Sequence, residues 1–337
     1  MTGSNRNLEG IAKHVSRCAQ LAALLEVSAW PKPGNVHRMA GIPPTRYEHF
    51  LASSVALGSP MGEAARLGAE VGFGRIHPSE VGMGRIIREA VDDMLHWQLG
   101  GNTQLGIVLL FVPLSLAAGK TMAELGKIDL HALRENQMVL MRAATLADAA
   151  EVYDAIARTL SKDKLGVLRE KAKPSVIDKD AKRELLRSGI SLFDALKASS
   201  GWDLISEELT NGMKFSLEIG YPNVKRLLSE SKDINVAVVH TFLLLLSELN
   251  DTFIAREVGL RETEYVEDAV RIGIRKTRWI SERAEKVLKM GGLLTSGGRR
   301  ELRSFDRELR KKKLNPGSVA DLTASSVMIT LLDGLRF

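Results

Sequence analysis

Apolar residues recur along this chain at spacings of three and four, the period of an amphipathic helix. The first such run covers residues 10–29, where Ile11, Val15, Cys18, Ala22 and Leu25 share one face. It should stop at Trp30-Pro31, because proline crowds the residue before it out of the helical region. Residues 31–46 read as loop, 47–57 as helix, and 58–74, rich in small residues, as another helix. His77-Pro78-Ser79-Glu80 reads as a turn, with Ser79 capping a helix over about 80–97 whose stripe is Ile87, Ala90, Met94 and Trp97. Gly100-Gly101-Asn102-Thr103 breaks the pattern, and a uniformly apolar helix follows over 104–118. Two helices fit 121–160. Others fit 191–198, 202–219, 222–230, 234–249, 263–289 and 318–334. Residues 161–183, charged and holding Pro174, predict a mobile or irregular segment, and 290–316 are glycine-rich and basic. No alternating run of strand length occurs. The expected fold is all-α: a single large helical domain over 1–337, a multi-helix, bundle-like packing.

Composition agrees. A chain of 337 residues with 45% hydrophobic content can bury a large core, and aromatics at only 5% with abundant Leu, Ala and Glu favour helix. The single cysteine excludes an intrachain disulfide framework and a cysteine-based zinc site. Cys18 reads as core, and a reducing, cytoplasmic setting is expected. The first ten residues are polar and lack the apolar region of a signal peptide. The longest apolar run, Leu105 to Ala118, contains Pro113 and is too short to span a bilayer, so no membrane association is expected. A net charge of +6 is mild for this length and suits nucleotides or CoA-like acids as well as nucleic acid.

Five stretches could carry chemistry. In Trp30-Pro31-Lys32-Pro33-Gly34-Asn35-Val36-His37-Arg38, two prolines fix a backbone that displays Lys, Asn, His and Arg together. Such donors suit an anion, phosphate first: Lys32 and Arg38 to neutralise charge, Asn35 to donate, and Gly34 to let main-chain N–H groups approach. In Gly100-Gly101-Asn102-Thr103-Gln104-Leu105-Gly106, free amides at a helix start would attract an anion, with Thr103 as the expected cap. Asp251, Thr252 and Arg256 follow an apolar segment and would hold a metal, or a ribose and a phosphate, or else form a cap and a salt bridge. Glu89, Asp92, Asp93 and His96 share a helix face that reads first as a solvated surface and second as a metal site. The basic run from Arg271 to Lys313 is interleaved with glutamates, so much of it reads as solvated helix, with a phosphate-rich partner such as CoA, ATP or RNA as the second reading. No RNA-binding motif accompanies it, which makes nucleic acid the weaker partner.

Taken together, these stretches resemble the triphosphoribosyl-dephospho-CoA synthase family. That family carries a Pro-Lys-Pro-Gly-Asn-Val loop after a helix with a glutamate, a Gly-x-Asn-Thr-His-Lys-Gly turn and an Asp-Thr-x-x-x-Arg motif. Here they correspond to Glu26 with Pro31–Val36, to Gly100–Gly106 and to Asp251–Arg256, and Pro316-Gly317-Ser318-x-Ala320-Asp321 is similar to the family's last motif. The departures are Gln104-Leu105 for His-Lys, His37 for aspartate, and Glu257-Val258 for glycines.

The resemblance implies that ATP donates a triphosphoribosyl group to dephospho-CoA, in the making of a coenzyme or prosthetic group, with Mg²⁺ on the triphosphate. It implies Glu26 and Asp251 as catalytic carboxylates and metal ligands, and Lys32, Arg38 and Arg256 as a phosphate clamp. Gly34, Asn35, His37, Gly101, Asn102, Thr103 and Gln104 would complete the nucleotide site. The partners would be small molecules, a phosphorylated ribosyl donor and an acceptor, with a homodimer as the default assembly. The alternative acceptor is a precursor of a methanopterin-like one-carbon cofactor. The alternative class is a non-catalytic nucleotide-binding protein on the same scaffold.

Overall fold

A computed structural model describes residues 3–159, 166–168 and 189–337. Most of the expected segment 161–183 lies outside the described residues. The chain begins with α1 (Gly3–Ser28), which ends just before Trp30-Pro31 as the proline requires. The helices α2 (Tyr47–Ala56) and α3 (Gly58–Gly72) follow across a single residue. The expected Ser79 cap is replaced by another arrangement: His77 caps a 3₁₀ turn at Pro78–Glu80, accepting from the Ser79 amide at 3.3 Å. The helix α4 (Met83–His96) starts only beyond it.

The next helix, α5 (Leu105–Leu125), outruns the apolar run read from the sequence. Among the described residues it is the helix long and apolar enough by itself to cross a membrane, yet most of it is buried inside the protein, which accounts for its composition. It packs chiefly on α3, and α1 lies across α3 and α5. The pair α6 (Leu130–Ala143) and α7 (Leu146–Thr159) completes this half, α7 packing on α4.

Beyond the undescribed stretch come α8 (Leu192–Ser199) and α9 (Leu204–Thr210), then a π-helical turn at Phe215–Gly220 leading into α10 (Tyr221–Ser231). The apolar α11 (Ile234–Glu248) is followed, after a bend of 53°, by α12 (Thr252–Gly259). Then come α13 (Val266–Lys289), α14 (Ser296–Lys312) and α15 (Gly317–Leu332). One of these helices, α12, has no counterpart in the sequence reading, while α14 falls inside the basic run that reads as solvated helix but without bounds of its own.

No β-strand occurs among the described residues. One core, with Phe111, Phe242 and Phe305 fully buried, runs from α1 to α15. Burying each such ring stabilises the fold by roughly 1.5–3 kcal/mol. The basic run Arg271–Lys313 forms the antiparallel neighbours α13 and α14. They are joined by Arg283 to Glu301 at 3.2 Å and by Trp279 against Phe305 at 6.3 Å between ring centroids. Cys18 is buried, as its register requires, and burial pushes its thiol up to about 11.

Candidate active site

The loop after α1 engages its cations within the protein. Lys32 is 0% exposed. Its ammonium donates to the Glu26 carboxylate and to Asn35 Oδ1 at 2.9 Å, and lies 5.9 Å from the centre of the Phe242 ring. Burial pulls the Lys32 ammonium down and pushes the Glu26 carboxyl up, each opposed by the charge of the other. Asn35 passes the contact on, donating to Asn315 Oδ1 at 2.9 Å.

Gly34 has φ +72°, and a Cβ there would overlap the Leu314 carbonyl; its N–H donates to Asp306 Oδ1 at 3.0 Å. The glycine therefore serves the approach of the loop to the end of α14. His37 is buried in the same seam, with Arg310 Nη2 2.8 Å from its Nε2 and the Met39 amide donating to Nδ1 at 3.2 Å. Arg38 is exposed, donates to Ser28 O and Asn235 Oδ1 and covers Trp30 at 5.8 Å.

A cavity of about 590 Å³ opens behind this loop. Glu26, Asn35, Asn102, Thr103, Arg256 and Asp321 bring its polar side chains from five separate stretches of chain. The wall built by α7, α8 and α9 is mostly apolar: Val152, Ile156, Leu192, Leu196, Trp202 and Ile205. The first turns of α5 (Leu105, Gly106, Ile107) and α15 (Gly317, Ser318, Ala320) also line it, so the positive ends of two helix dipoles reach the same space. Lys32, Gly34, His37, Arg38, Gly101, Gln104 and Asp251 do not line it.

Among the described residues, Arg256 is the one Lys or Arg in the lining. It covers the Phe253 ring at 5.6 Å, and its Nε is buried without a hydrogen bond among the described residues. That is an arginine held ready for an acceptor brought by a ligand. Asn102, not Thr103, caps the start of α5: its Oδ1 accepts from the Leu105 amide at 3.1 Å, while Thr103 pairs with Ser53 at 2.7 Å. Gln104 turns inward and donates to Ser54 at 2.8 Å. Gly101 holds φ +76°, and its carbonyl accepts from Gln98 at 2.7 Å.

Asp251 is buried between two helix starts. Its Oδ1 accepts from the Ile254 amide and its Oδ2 from the Val319 amide, both at 2.9 Å, so it caps α12 and ties it to α15. Burial raises its carboxyl to about 6. Of the cap and metal readings open in the sequence, these contacts make the cap. The acidic face of α4 is likewise a web of surface ion pairs, Arg85 with Glu89 and Arg88 with Asp92. Among the described residues no three His, Cys, Asp or Glu side chains gather as metal ligands.

Asp321, in the second turn of α15, received no role from the sequence. Its only signal was its place at the end of Pro316-Gly317-Ser318-x-Ala320. It is half-buried, lines the cavity and accepts no hydrogen bond among the described residues. A Cβ at Gly106 would overlap its carboxylate, so glycine there is what lets α5 and Asp321 meet.

With this geometry in hand, comparison with known proteins decides the family. The family profile CitG, ATP:dephospho-CoA triphosphoribosyl transferase, matches residues 12–336. The chain belongs to this family. Its members' names make it a ribosyl transferase of coenzyme biosynthesis. The 2-(5''-triphosphoribosyl)-3'-dephosphocoenzyme-A synthase of Klebsiella pneumoniae is 28% identical over 318 residues, 93% of this chain and 89% of that protein. The protein of the same name from Escherichia fergusonii is 25% identical over 315 residues, with the same coverage of both chains. A solved Archaeoglobus fulgidus chain assigned as a triphosphoribosyl-dephospho-coA synthase shares the fold at a TM-score of 0.53. It is 24% identical, and the match covers 82% of this chain and 99% of that one.

Proposed function

We propose that the protein transfers the triphosphoribosyl group of ATP to a hydroxyl of dephospho-CoA, releasing adenine. The bond from ribose C1' to the base nitrogen breaks, and a bond from C1' to the acceptor oxygen forms. Such a step needs a hold on the triphosphate, charge stabilisation at C1' and a base for the hydroxyl. The observation that carries the reading is the single cavity lined by Glu26, Asn35, Asn102, Thr103, Arg256 and Asp321, side chains from each stretch that resembles the family.

Arg256 and the first turns of α5 and α15 receive phosphate oxygens, since buried donors without partners favour an anion. Asn35, Asn102 and Thr103 hold ribose or phosphate oxygens. Glu26 takes the proton of the acceptor hydroxyl. Lys32, which touches Glu26 but does not line the cavity, is a positioning residue that opposes neutralisation of Glu26. The apolar wall of α7, α8 and α9 suits the aliphatic arm of the acceptor.

Magnesium does not fit Glu26 and Asp251 as ligands: both Asp251 oxygens accept main-chain amides, and Glu26 is taken by Lys32. Mg²⁺ enters with the nucleotide, as the counter-ion of its triphosphate. With ATP as donor, the reaction belongs in the cytoplasm.

The test is incubation of the purified protein with Mg-ATP and dephospho-CoA, following adenine by chromatography and the product by mass. Adenine release that depends on the acceptor is expected. Its absence, with no ATP binding by calorimetry, would remove the reading.

A further inference from the structure

We infer that Asp321 is the catalytic acid that protonates the departing adenine. The inference rests on the triphosphoribosyl-transfer reading above and adds a residue to it.

Adenine leaves poorly as an anion, so the break at C1' needs a proton delivered to a ring nitrogen of the base as the bond lengthens. The donor must face the cavity and must not have its carboxyl engaged elsewhere. Asp321 meets both conditions. It lines the cavity, and it makes no hydrogen bond among the described residues. Asp251 fails both: it does not line the cavity, and its oxygens accept the Ile254 and Val319 amides. Glu26 is paired with Lys32.

Of the five carboxylates in the lining among the described residues, Glu26, Asp194, Asp203, Glu267 and Asp321, Glu26 and Asp321 sit in opposite settings, one beside an ammonium and one without a cation of its own. Pairs whose surroundings differ in this way divide into base and acid. Burial, followed by the charges of Glu26 and Asp251, holds the Asp321 carboxyl well above the usual aspartate range; Lys32 opposes this and Asp203 adds to it.

The protons balance. Asp321 gives its proton to adenine, Glu26 takes the proton of the acceptor hydroxyl, and exchange with solvent returns both carboxyls to their starting states. Gly106 is the structural companion of this role, since any side chain there would displace the Asp321 carboxylate.

The experiment compares wild-type protein with Asp321→Asn on two donors, each with dephospho-CoA. One donor is ATP. The other is an N7-methylated purine nucleoside triphosphate, whose base already carries the positive charge. The expected loss of kcat with ATP is about a hundredfold to ten-thousandfold. ATP affinity by calorimetry should stay within about threefold, and the deficit should shrink to under about tenfold with the methylated donor. The wild type should lose kcat at alkaline pH, and this fall should vanish in the variant.

Asp321→Glu, which keeps an acid in place, is the second variant. It should retain both the alkaline limb and turnover of ATP above the Asn variant. Equal losses on the two donors, or an unchanged kcat in Asp321→Asn, overturns the role. Wild-type protein that releases adenine from neither donor removes the transfer reading, and this inference with it.

Discussion

The Lys32 ammonium lies buried against the Glu26 carboxylate, and this pair settles what the proline-rich loop does. A lysine that looked like a phosphate ligand is a fixed internal counter-charge. It orients the one carboxylate of α1 that faces the cavity. Breaking a buried pair leaves an unpaired charge, which costs far more than the intact pair contributes.

Lys32→Met should therefore destabilise the protein by about 3–5 kcal/mol, measured by denaturant unfolding. Adding Glu26→Gln removes the stranded charge and should restore most of that stability without restoring activity. A double variant as unstable as the single one would contradict the pairing.

Arg256→Ala should weaken ATP binding by about 1.5–3 kcal/mol, the loss of charge-assisted hydrogen bonds to phosphate. Calorimetry reads this directly. The melting temperature should hardly move, because the guanidinium makes no hydrogen bond or ion pair to the described residues, only its contact over Phe253. An unchanged ATP affinity would place the phosphates elsewhere.

Gly34→Ala should cost about 1 kcal/mol for the backbone angle alone. The overlap with the Leu314 carbonyl adds to this. The expected signature is lower stability in urea, with ATP affinity falling only as far as unfolding explains. A variant of full stability that has lost ATP binding would return Gly34 to the ligand.

Glu208 predicts a pH effect from a residue of α9 that does not line the cavity. It is fully buried, and its two oxygens accept from the Phe215 and Ser216 amides at 2.8 Å, starting the π-helical turn. Burial pushes its carboxyl from the ordinary 4.5 to about 7. A raised carboxyl binds its proton more tightly in the folded state. The stability it lends is complete below the unfolded-state value and is lost as pH rises through about 7. Unfolding free energy should fall between those limits in the wild type, by roughly 3 kcal/mol at most. It should fall less in Glu208→Gln. Parallel curves for the two proteins would refute the assignment.

Much of the fold was legible because helix period is a local property. The stripes of α1, α4 and α13 and the apolar composition of α5 and α11 follow from residues three and four apart. One helix escaped and the buried face of another stayed hidden, for local reasons as well. In α14, Gly297-Gly298 and dense charge obscured the stripe Leu302, Phe305 and Leu309, all fully buried. Being short, α12 begins within what reads as a binding motif.

The sequence by itself determined the helical class, the stretches of chain that gather at the cavity and, through its motifs, the family. Tertiary structure alone decided which way each side chain faces. Lys32 and Arg38 stand in one loop, yet one is buried beside Glu26 and the other lies exposed over Trp30. Asp251 turns from the expected metal ligand into a cap because its second partner is Val319, far along the chain. Asp321 gains its place because Gly106, on another helix, leaves room for it. Spacing along a chain fixes which residues share a face. Burial and the choice of partner depend on what the rest of the fold brings against that face.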